Sequence, residues 1–200
     1  MNLTGFWWIL GAGAIYGLLH SILASLTAKK LAVRWFGENG RKYYRFFYVV
    51  VACLSTPLYT ALIFLLPDAR LYTIPVPWVY LTLLVQLAAG ICLLLSLAGT
   101  GVLSFVGLDV LFRSNPVPQK SKLKTTGFYA WMRHPIYFFT FVILWLFPVI
   151  SWNMFAFVIG VTIYTLIGSL YEERRLVIEF GQEYLEYQKN TPWIIPIKLK

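Results

Sequence analysis

Charged residues are absent from four long stretches of the chain. The stretches are residues 1–28, 46–67, 71–108 and 135–171, with 28, 22, 38 and 37 residues, or 125 of the 200 positions. A helix needs roughly 20 apolar residues to cross a bilayer core about 30 Å thick. The first two stretches are therefore expected to hold one transmembrane helix each, and the last two are long enough for two each.

Aromatic residues and prolines indicate where these helices begin and end. Trp7 and Trp8 open the first helix as an interfacial anchor. No cleavage-site pattern follows that helix, so we expect a retained helix and not a signal peptide. Pro148 and the turn at residues 151–153 divide the last stretch into a helical hairpin. The predicted spans are residues 6–26, 47–66, 77–99, 136–150 and 153–170, with a tail over 171–200. Residues 101–112 are expected to form an interfacial or re-entrant segment.

The basic residues alternate between successive connections of this five-helix arrangement. None precedes the first span, six lie in the first loop, one in the second, five in the third, none in the hairpin turn and five in the tail, which accounts for all 17. Short cytoplasmic loops accumulate Lys and Arg. The pattern predicts an all-α integral membrane protein with its N-terminus outside and its C-terminal tail in the cytoplasm, for which a bacterial inner membrane is the expected location.

Composition narrows the class further. The chain is 59% hydrophobic and 12% charged, whereas about a quarter of the residues of a soluble domain are charged. A soluble globule is excluded, and so is a disordered chain, which needs low hydrophobicity. The net charge of +9 follows from the cytoplasmic loops and anionic lipid head groups, so no nucleic-acid partner is expected. Cys53 and Cys92 show no metal-binding spacing, and we expect a single domain without a metal site.

The most distinctive polar motif is the run Arg133-His134-Pro135 at the start of the fourth span. Pro135 suits the first turn of a helix, where its missing N–H costs nothing, and it keeps His134 out of the helical region. Arg133 and His134 would then project from a helix N-terminus, which favours anions. Five of the eight acidic residues lie between Glu172 and Glu186, at the same end of the hairpin. Such a cluster is equally compatible with a solvated, charge-balancing helix.

Several motifs together resemble a known superfamily. Residues 123–129 read Leu-Lys-Thr-Thr-Gly-Phe-Tyr, residues 133–137 read Arg-His-Pro-Ile-Tyr, and paired acids, a Phe-Gly-Gln-Glu-Tyr run and a final Trp-Ile-Ile-Pro follow. This order over residues 123–196 resembles the C-terminal core of the isoprenylcysteine carboxyl methyltransferase superfamily of integral membrane enzymes. Residues 172–177 most resemble its methanethiol S-methyltransferase branch, and residues 19–25 resemble that branch and NnrU-type membrane proteins.

The resemblance implies a methyltransferase that uses S-adenosyl-L-methionine, in which the cofactor lies against the C-terminal motifs. It assigns Arg133 and His134 to the cofactor carboxylate or to the local backbone geometry, and Glu172 to the ammonium or ribose. Tyr129 and Tyr137 are assigned to the adenine or the sulfonium, the latter as a cation–π contact. The implied cofactor-binding residues are Leu123, Lys124, Tyr129, His134, Pro135, Tyr137, Glu172 and Glu173, and the catalytic candidates are Arg133, His134 and Arg174.

The expected methyl acceptor is a small or membrane-dissolved nucleophile, with a thiol favoured. Thiolates are the reactive form, and Arg133 or Arg174 beside a thiol would lower its pKa.

His20, in the first span, is a candidate for the substrate pocket, or alternatively forms an interhelical hydrogen bond to a Ser or Thr. Related prenylcysteine enzymes carry an arginine just before the paired acids, whereas residues 165–170 contain no base. Phe139 stands where related sequences have a small residue, and its ring would narrow the pocket.

Four other functions are compatible with parts of the sequence. Phospholipid N-methylation and isoprenylcysteine carboxyl methylation use the same scaffold, and an NnrU-type factor would keep it without catalysis. A haem or quinone protein with His20 and His134 as axial ligands is disfavoured, because the first lies within a helix and the second at a loop junction. The sequence leaves the oligomeric state open.

Overall fold

A computed structural model of the chain describes residues 4–98 and 122–197. Helices form nearly all of the regular structure in these residues. The chain is an all-α membrane protein, as predicted, and 78% of its described residues are helical. Two short strands form one two-stranded sheet. The predicted segment 101–112 lies outside the described residues. The helices are α1 (Phe6–Ala24), α2 (Leu26–Leu65), α3 (Trp78–Ala98), α4 (Pro135–Trp145), α5 (Trp152–Phe180) and α6 (Gln182–Asn190), the strands are β1 (Arg70–Thr73) and β2 (Val149–Ser151), and Gly127–Ala130 is a 3₁₀ helix.

Most predicted spans coincide with these helices. Over the described residues, α1, α2, α3 and α5 are long and apolar enough to cross a membrane. The helix α4 has 11 residues, about 16 Å at 1.5 Å per residue, so by itself it is shorter than a bilayer core. The hairpin of α4 and α5 is present at the predicted place, while the count of five crossings and the orientation stay predictions.

One connection that we expected to be a loop is helical. The basic segment between the first two spans forms the N-terminal part of α2, which changes direction at Gly37 (φ 57°, ψ −135°). A Cβ added to Gly40 would collide with the carbonyl oxygen of Ala32. Eight residues rise about 12 Å along a straight helix, so this contact shows that the chain folds back. The two parts of α2, residues 26–36 and 38–65, are called its first and second legs.

The predicted tail also begins as helix. The chain continues from the fifth span to Phe180 as one α-helix, because residues 171–180 contain neither proline nor glycine. The uncharged part of α5 ends at Tyr171, so the turns that carry Glu172 and Glu173 extend beyond the apolar, membrane-spanning part. Gly181, with φ 59°, then reverses the backbone and α6 follows.

The described residues divide into two compact units. The first contains residues 4–72 and 150–160, and the second contains 73–98, 122–149 and 161–197. The prediction of a single domain is not tested by this division and stays a prediction.

The first unit is built on the packing of α1 against α2 and the start of α5. Its buried cluster contains Ile9, Tyr59, Ile63 and Ala156. The amide of the fully buried Asn153 donates to the carbonyl groups of Ile63, Leu66 and Pro67 at 3.2–3.3 Å. Because the last carbonyls of a helix have no intrahelical partner, this amide caps the C-terminal end of α2.

The second unit is built on α3 and α4, together with the remainder of α5 and α6. The amide of Gln86 donates to the carbonyl of Ile143 at 2.7 Å and so joins α3 to α4. At the start of α4, the backbone N–H groups of Arg133 and His134 both donate to the carbonyl of Trp193. The C-terminal segment is thereby held against the Arg-His-Pro motif.

Candidate functional site

Glu173 is the centre of a polar cluster in the second unit. Its Oε1 accepts from the Arg133 Nε at 2.6 Å and from the Tyr184 hydroxyl at 3.2 Å, and it lies 3.0 Å from the His134 Nε2. Its Oε2 accepts from the Arg133 guanidinium at 3.0 Å and from the Gln188 amide at 2.6 Å. Arg133, His134, Glu173, Tyr184 and Gln188 are called the Glu173 cluster below. Five contacts occupy a carboxylate that offers about four lone-pair sites.

The charge of Glu173 is stabilised by these contacts. Burial by itself raises the pKa of a carboxyl group, but hydrogen bonds from His134 and Arg133 and the charge of Arg133 outweigh it and lower the pKa of Glu173 to about 2. Hydrogen bonds to the ionised form have this effect in general. Burial and the charge of Glu173 raise the pKa of Tyr184, which therefore stays a neutral donor.

Arg133 connects three segments of the second unit. Besides its two bonds to Glu173, its NH1 donates to the carbonyls of Gln188 at 3.0 Å and Thr191 at 2.6 Å. A guanidinium has five N–H donors, and four are used within the protein. The geometry is that of an arginine which fixes the start of α4 against the ends of α5 and α6.

Glu172, the neighbouring acid, lies in a different environment. Its side chain is 46% exposed, whereas that of Glu173 is 12% exposed. The Tyr137 hydroxyl donates to its Oε2 at 2.7 Å, and the His134 Nδ1 lies 3.7 Å from the same oxygen. The Tyr137 ring stacks on His134 at 5.2 Å with an interplanar angle of 6°. Tyr137 and His134 therefore orient a carboxylate that is still open to solvent.

A cavity of about 460 Å³ lies beside the 3₁₀ helix. The Lys124 Nζ lies 4.9 Å from the centre of the Tyr129 ring. The Tyr187 hydroxyl donates a hydrogen bond to the Tyr129 carbonyl oxygen at 2.5 Å. Burial and then the negative charge of Glu172 raise the pKa of Tyr129 to about 12. Since the charge of Glu172 acts on Tyr129, Glu172 lies within electrostatic reach of the cavity wall that Tyr129 forms. The cavity is lined by Leu95, Ser96, Lys124, Thr126, Gly127, Phe128, Tyr129 and Trp131.

Phe139 packs against one wall of this cavity. The side chain is buried, and its ring packs edge to face on Phe128 at 5.1 Å. The bulky residue that we expected to narrow the pocket therefore contacts a residue that lines it.

The structure brings together most of the residues singled out in the sequence. Arg133, His134 and Glu173 lie in the Glu173 cluster, with Tyr137 and Glu172 beside it. Lys124 and Tyr129 line the cavity, the half-buried Leu123 precedes them, and the buried Pro135 begins α4. Arg174 is exposed, and its guanidinium lies 5.6 Å from the Tyr171 ring, so its described contact is outside the cluster.

His20 belongs to the first unit. Its Nε2 is hydrogen-bonded to the Tyr48 hydroxyl, so a tyrosine of α2 provides an interhelical partner. Tyr16 stacks on His20 at 5.6 Å and on Tyr59 at 5.2 Å. These four rings, Tyr16, His20, Tyr48 and Tyr59, are called the His20 stripe.

Sequence reasoning missed several residues of the site, among them Tyr184, Gln188, Leu95 and Ser96. Tyr184 and Gln188 lie four residues apart, which places them on one face of α6 toward Glu173. The signal was available for Tyr184, because Tyr184 and Tyr187 are the aromatic residues of a helix that is polar apart from Leu185, and both are buried. Leu95 and Ser96 of α3 line the cavity, and no motif in the sequence marks them.

Comparisons with known proteins identify the family of the chain. A family model described as "Protein of unknown function (DUF1295)" matches residues 26–191. The chain belongs to this family. DUF1295 is a family of the isoprenylcysteine carboxyl methyltransferase-like superfamily, so the resemblance noted in the sequence is confirmed. No solved structure matches the chain.

Several relatives carry the name methanethiol S-methyltransferase. The relative from Crocosphaera subtropica is 36% identical over 75 residues, which are 38% of this chain and 29% of that protein. The one from Pseudomonas deceptionensis is 36% identical over 89 residues, 44% and 33% of the two chains. The one from Mycobacterium tuberculosis is 34% identical over 68 residues, 34% and 28%. The matched part of this DUF1295 chain thus spans about a third of each of these three relatives.

Proposed function

We propose that this DUF1295 protein is an S-adenosylmethionine-dependent membrane methyltransferase whose acceptor is a small thiol. Relatives named methanethiol S-methyltransferase support the reaction class and the acceptor. The superfamily supports the integral membrane setting, and S-adenosylmethionine is the methyl donor that such an activity implies. The exposed Glu172 beside the closed Glu173 cluster is the observation that carries the proposal.

The two adjacent acids have separate tasks in this proposal. Glu173 is a positioning residue, because its oxygens are occupied by Arg133, His134, Tyr184 and Gln188. Glu172 is half-exposed and oriented by Tyr137, so it is the carboxylate that can accept a ligand. An ionised carboxylate pairs well with an ammonium or with hydroxyl donors, which are groups that the methyl donor presents.

The described residues fit such a donor. Glu172 would hold its ammonium or ribose, and the rings of Tyr129 and Tyr137 offer faces for adenine and for a sulfonium. A cavity of about 460 Å³ falls within the range of roughly 300–1,000 Å³ for ligand sites. When bound, S-adenosylmethionine supplies an activated methyl group. Leu123, Lys124 and Pro135 would shape this site, with the Lys124 ammonium fixing the Tyr129 ring.

The residues that surround the acceptor need to supply alignment more than acid–base chemistry. Holding two reactants in line removes a large entropic part of the barrier. A thiol reacts as the thiolate, so the ionised fraction of the acceptor depends on its own pKa. If the acceptor arrives already ionised, the rate of transfer should rise about tenfold per pH unit below that value. Arg133 acts in this scheme by fixing the start of α4, and Arg174, from its exposed position, attracts an anionic acceptor.

The proposed orientation places this chemistry in the cytoplasm. The basic residues alternate along the chain so that Arg133, His134 and the last turns of α5 fall on the side rich in Lys and Arg, which is cytoplasmic for short loops. The protein is accordingly assigned to a bacterial inner membrane with its C-terminal tail inside. Small thiols and soluble methyl donors would meet the site from the cytoplasm, whereas an apolar thiol would reach it from the bilayer.

The activity can be tested with the full chain purified in detergent. Transfer of a labelled methyl group from S-adenosylmethionine is measured with a small alkyl thiol, with phosphatidylethanolamine and with no acceptor. We expect label in the thiol product for the wild type and for Glu183→Gln, and at least a tenfold lower rate for Glu172→Gln. Glu183 is a matched control because it is an exposed glutamate of α6 outside the site.

Three outcomes would overturn the proposal in different ways. Label in the phospholipid but not in the thiol would identify an amine acceptor. Binding of S-adenosylhomocysteine without transfer to either acceptor would contradict a thiol methyltransferase. The absence of both binding and transfer in a folded protein would indicate a scaffold without catalysis.

A further inference from the structure

A second pocket of about 410 Å³ lies in the first unit, at the bend of α2. It is lined by Leu26, Lys29, Lys30, Val33 and Arg41. Three of its five lining residues are cationic, and none is acidic. A concave surface with this charge is suited to an anion.

The fold of α2 creates this concentration of charge. Lys29 and Lys30 lie on the first leg and Arg41 on the second, and the reversal at Gly37 brings the legs together. The close approach of Gly40 to the Ala32 carbonyl fixes their separation. Glu38 pairs with Arg41 at 3.3 Å, but the two side chains are 81% and 65% exposed. Exposed pairs contribute little, so this contact leaves Arg41 available to a stronger anionic partner.

The pocket lies at the edge of the apolar part of the chain. The uncharged stretch 1–28 ends one residue before Lys29, and the next one, 46–67, begins five residues after Arg41. The pocket therefore lies near the end of the first uncharged stretch and near the beginning of the second. Trp35 and Phe36, at the bend, are 69% and 67% exposed, and aromatic residues next to basic ones are typical of the membrane interface.

We propose that this pocket binds the phosphate of an anionic phospholipid head group. Two lysine ammonium groups and one guanidinium are opposite in sign to the negative charge of a phosphate diester, and arginine can bind its oxygens in a bidentate manner. The exposed rings of Trp35 and Phe36 favour a lipid over a soluble anion, because they give the glycerol and acyl portions an apolar surface. The proposal stands independently of the methyl transfer assigned to the second unit.

Lipid binding is measured on the full chain in a neutral detergent. Short-chain phosphatidylglycerol, phosphatidylcholine and inorganic phosphate are titrated separately while the unfolding temperature is recorded. The test variant combines Lys29→Gln, Lys30→Gln and Arg41→Gln. Its matched control removes three exposed basic residues that do not line the pocket, with Arg70→Gln, Arg175→Gln and Lys189→Gln. A third variant, Lys29→Arg with Lys30→Arg, keeps the charge.

We expect phosphatidylglycerol to stabilise the wild type and the control more than phosphatidylcholine does. Each basic residue near an anionic membrane surface adds to the attraction of the head group, so the test variant should bind phosphatidylglycerol at least about tenfold more weakly. The charge-retaining variant should bind it normally, which separates charge from folding. An equal response of the test and control variants would overturn the site. An equal effect of inorganic phosphate would overturn the assignment to a lipid.

Discussion

The two histidines of the chain lie in polar surroundings of opposite character. In the second unit, His134 contacts the ionised Glu173 beside a guanidinium, at a helix start beyond the uncharged stretches. In the first unit, His20 is hydrogen-bonded to the Tyr48 hydroxyl and stacks on Tyr16 in the His20 stripe, within a helix apolar enough to span a membrane. A buried charged side chain is costly unless it has both an oppositely charged partner and hydrogen bonds. A buried neutral polar side chain needs only a hydrogen bond. The region around His134 therefore contains charged groups of the kind that bind ligands. The region around His20 is a polar contact between two helices, α1 and α2.

The largest effect is expected from removing the carboxylate at the centre of the Glu173 cluster. Glu173→Ala leaves Arg133, whose side chain is largely buried, without its ionic partner, which typically costs about 3–5 kcal/mol. The unfolding temperature in detergent should fall strongly, while Glu183→Ala should change it little. A Glu173→Ala protein as stable as the control would show that the cluster does not hold the second unit together.

Acid should reproduce part of this effect in the unmodified protein. The pKa of Glu173 is about 2, against an ordinary value of 4.5, so its contribution is complete above pH 4.5 and is lost as the pH falls toward 2. At 1.36 kcal/mol per pKa unit, the loss amounts to about 3 kcal/mol. We expect Glu173→Gln to remove most of the difference between unfolding at pH 6 and at pH 3. An unchanged acid response in Glu173→Gln would assign the acid lability to other groups.

The same substitution at the two histidines compares the regions directly. His134→Phe keeps an aromatic ring but removes the hydrogen bond to an ionised partner, which is worth about 1.5–3 kcal/mol. The loss should be visible both as a lower unfolding temperature and as a weaker affinity for S-adenosylhomocysteine. Normal affinity in this variant would exclude His134 from the orientation of Glu172.

His20→Phe should have the smallest effect. It preserves the stacking on Tyr16 and removes the hydrogen bond to Tyr48, and hydrogen bonds between membrane helices average about 0.6 kcal/mol. Unfolding of His20→Phe should therefore be close to that of the wild type. A loss as large as that of His134→Phe would mean that the His20 stripe carries charge after all.

The sequence predicts the helices better than the bends between them. Uncharged stretches located α1, α3 and the hairpin of α4 and α5, because a bilayer imposes length and composition on its spans. The reversal at Gly37 was missed, since basic residues on a short helix and in a loop satisfy the same charge rule. It depends on a glycine at positive φ and on the contact of Gly40 with Ala32, neither of which a hydrophobic pattern records.

The site was predicted as a set of residues but not as an arrangement. The Arg-His-Pro motif and the paired acids pointed to one end of the hairpin. Adjacent helical residues point about 100° apart, so only the structure distinguishes the enclosed Glu173 from the exposed Glu172. The contributions of Tyr184 and Gln188 depend on how α6 folds back after Gly181, which is a tertiary property.

The division of tasks between Glu172 and Glu173 is tested most directly by calorimetric titration of S-adenosylhomocysteine into the purified protein. The variants are Glu172→Gln and the matched Glu183→Gln, both checked for an unchanged unfolding temperature. Losing a hydrogen bond to a charged group costs about 1.5–3 kcal/mol, so Glu172→Gln should bind about 10- to 100-fold more weakly, while Glu183→Gln binds as the wild type does. Equal affinity in the two variants would contradict the assignment of Glu172 to the methyl donor.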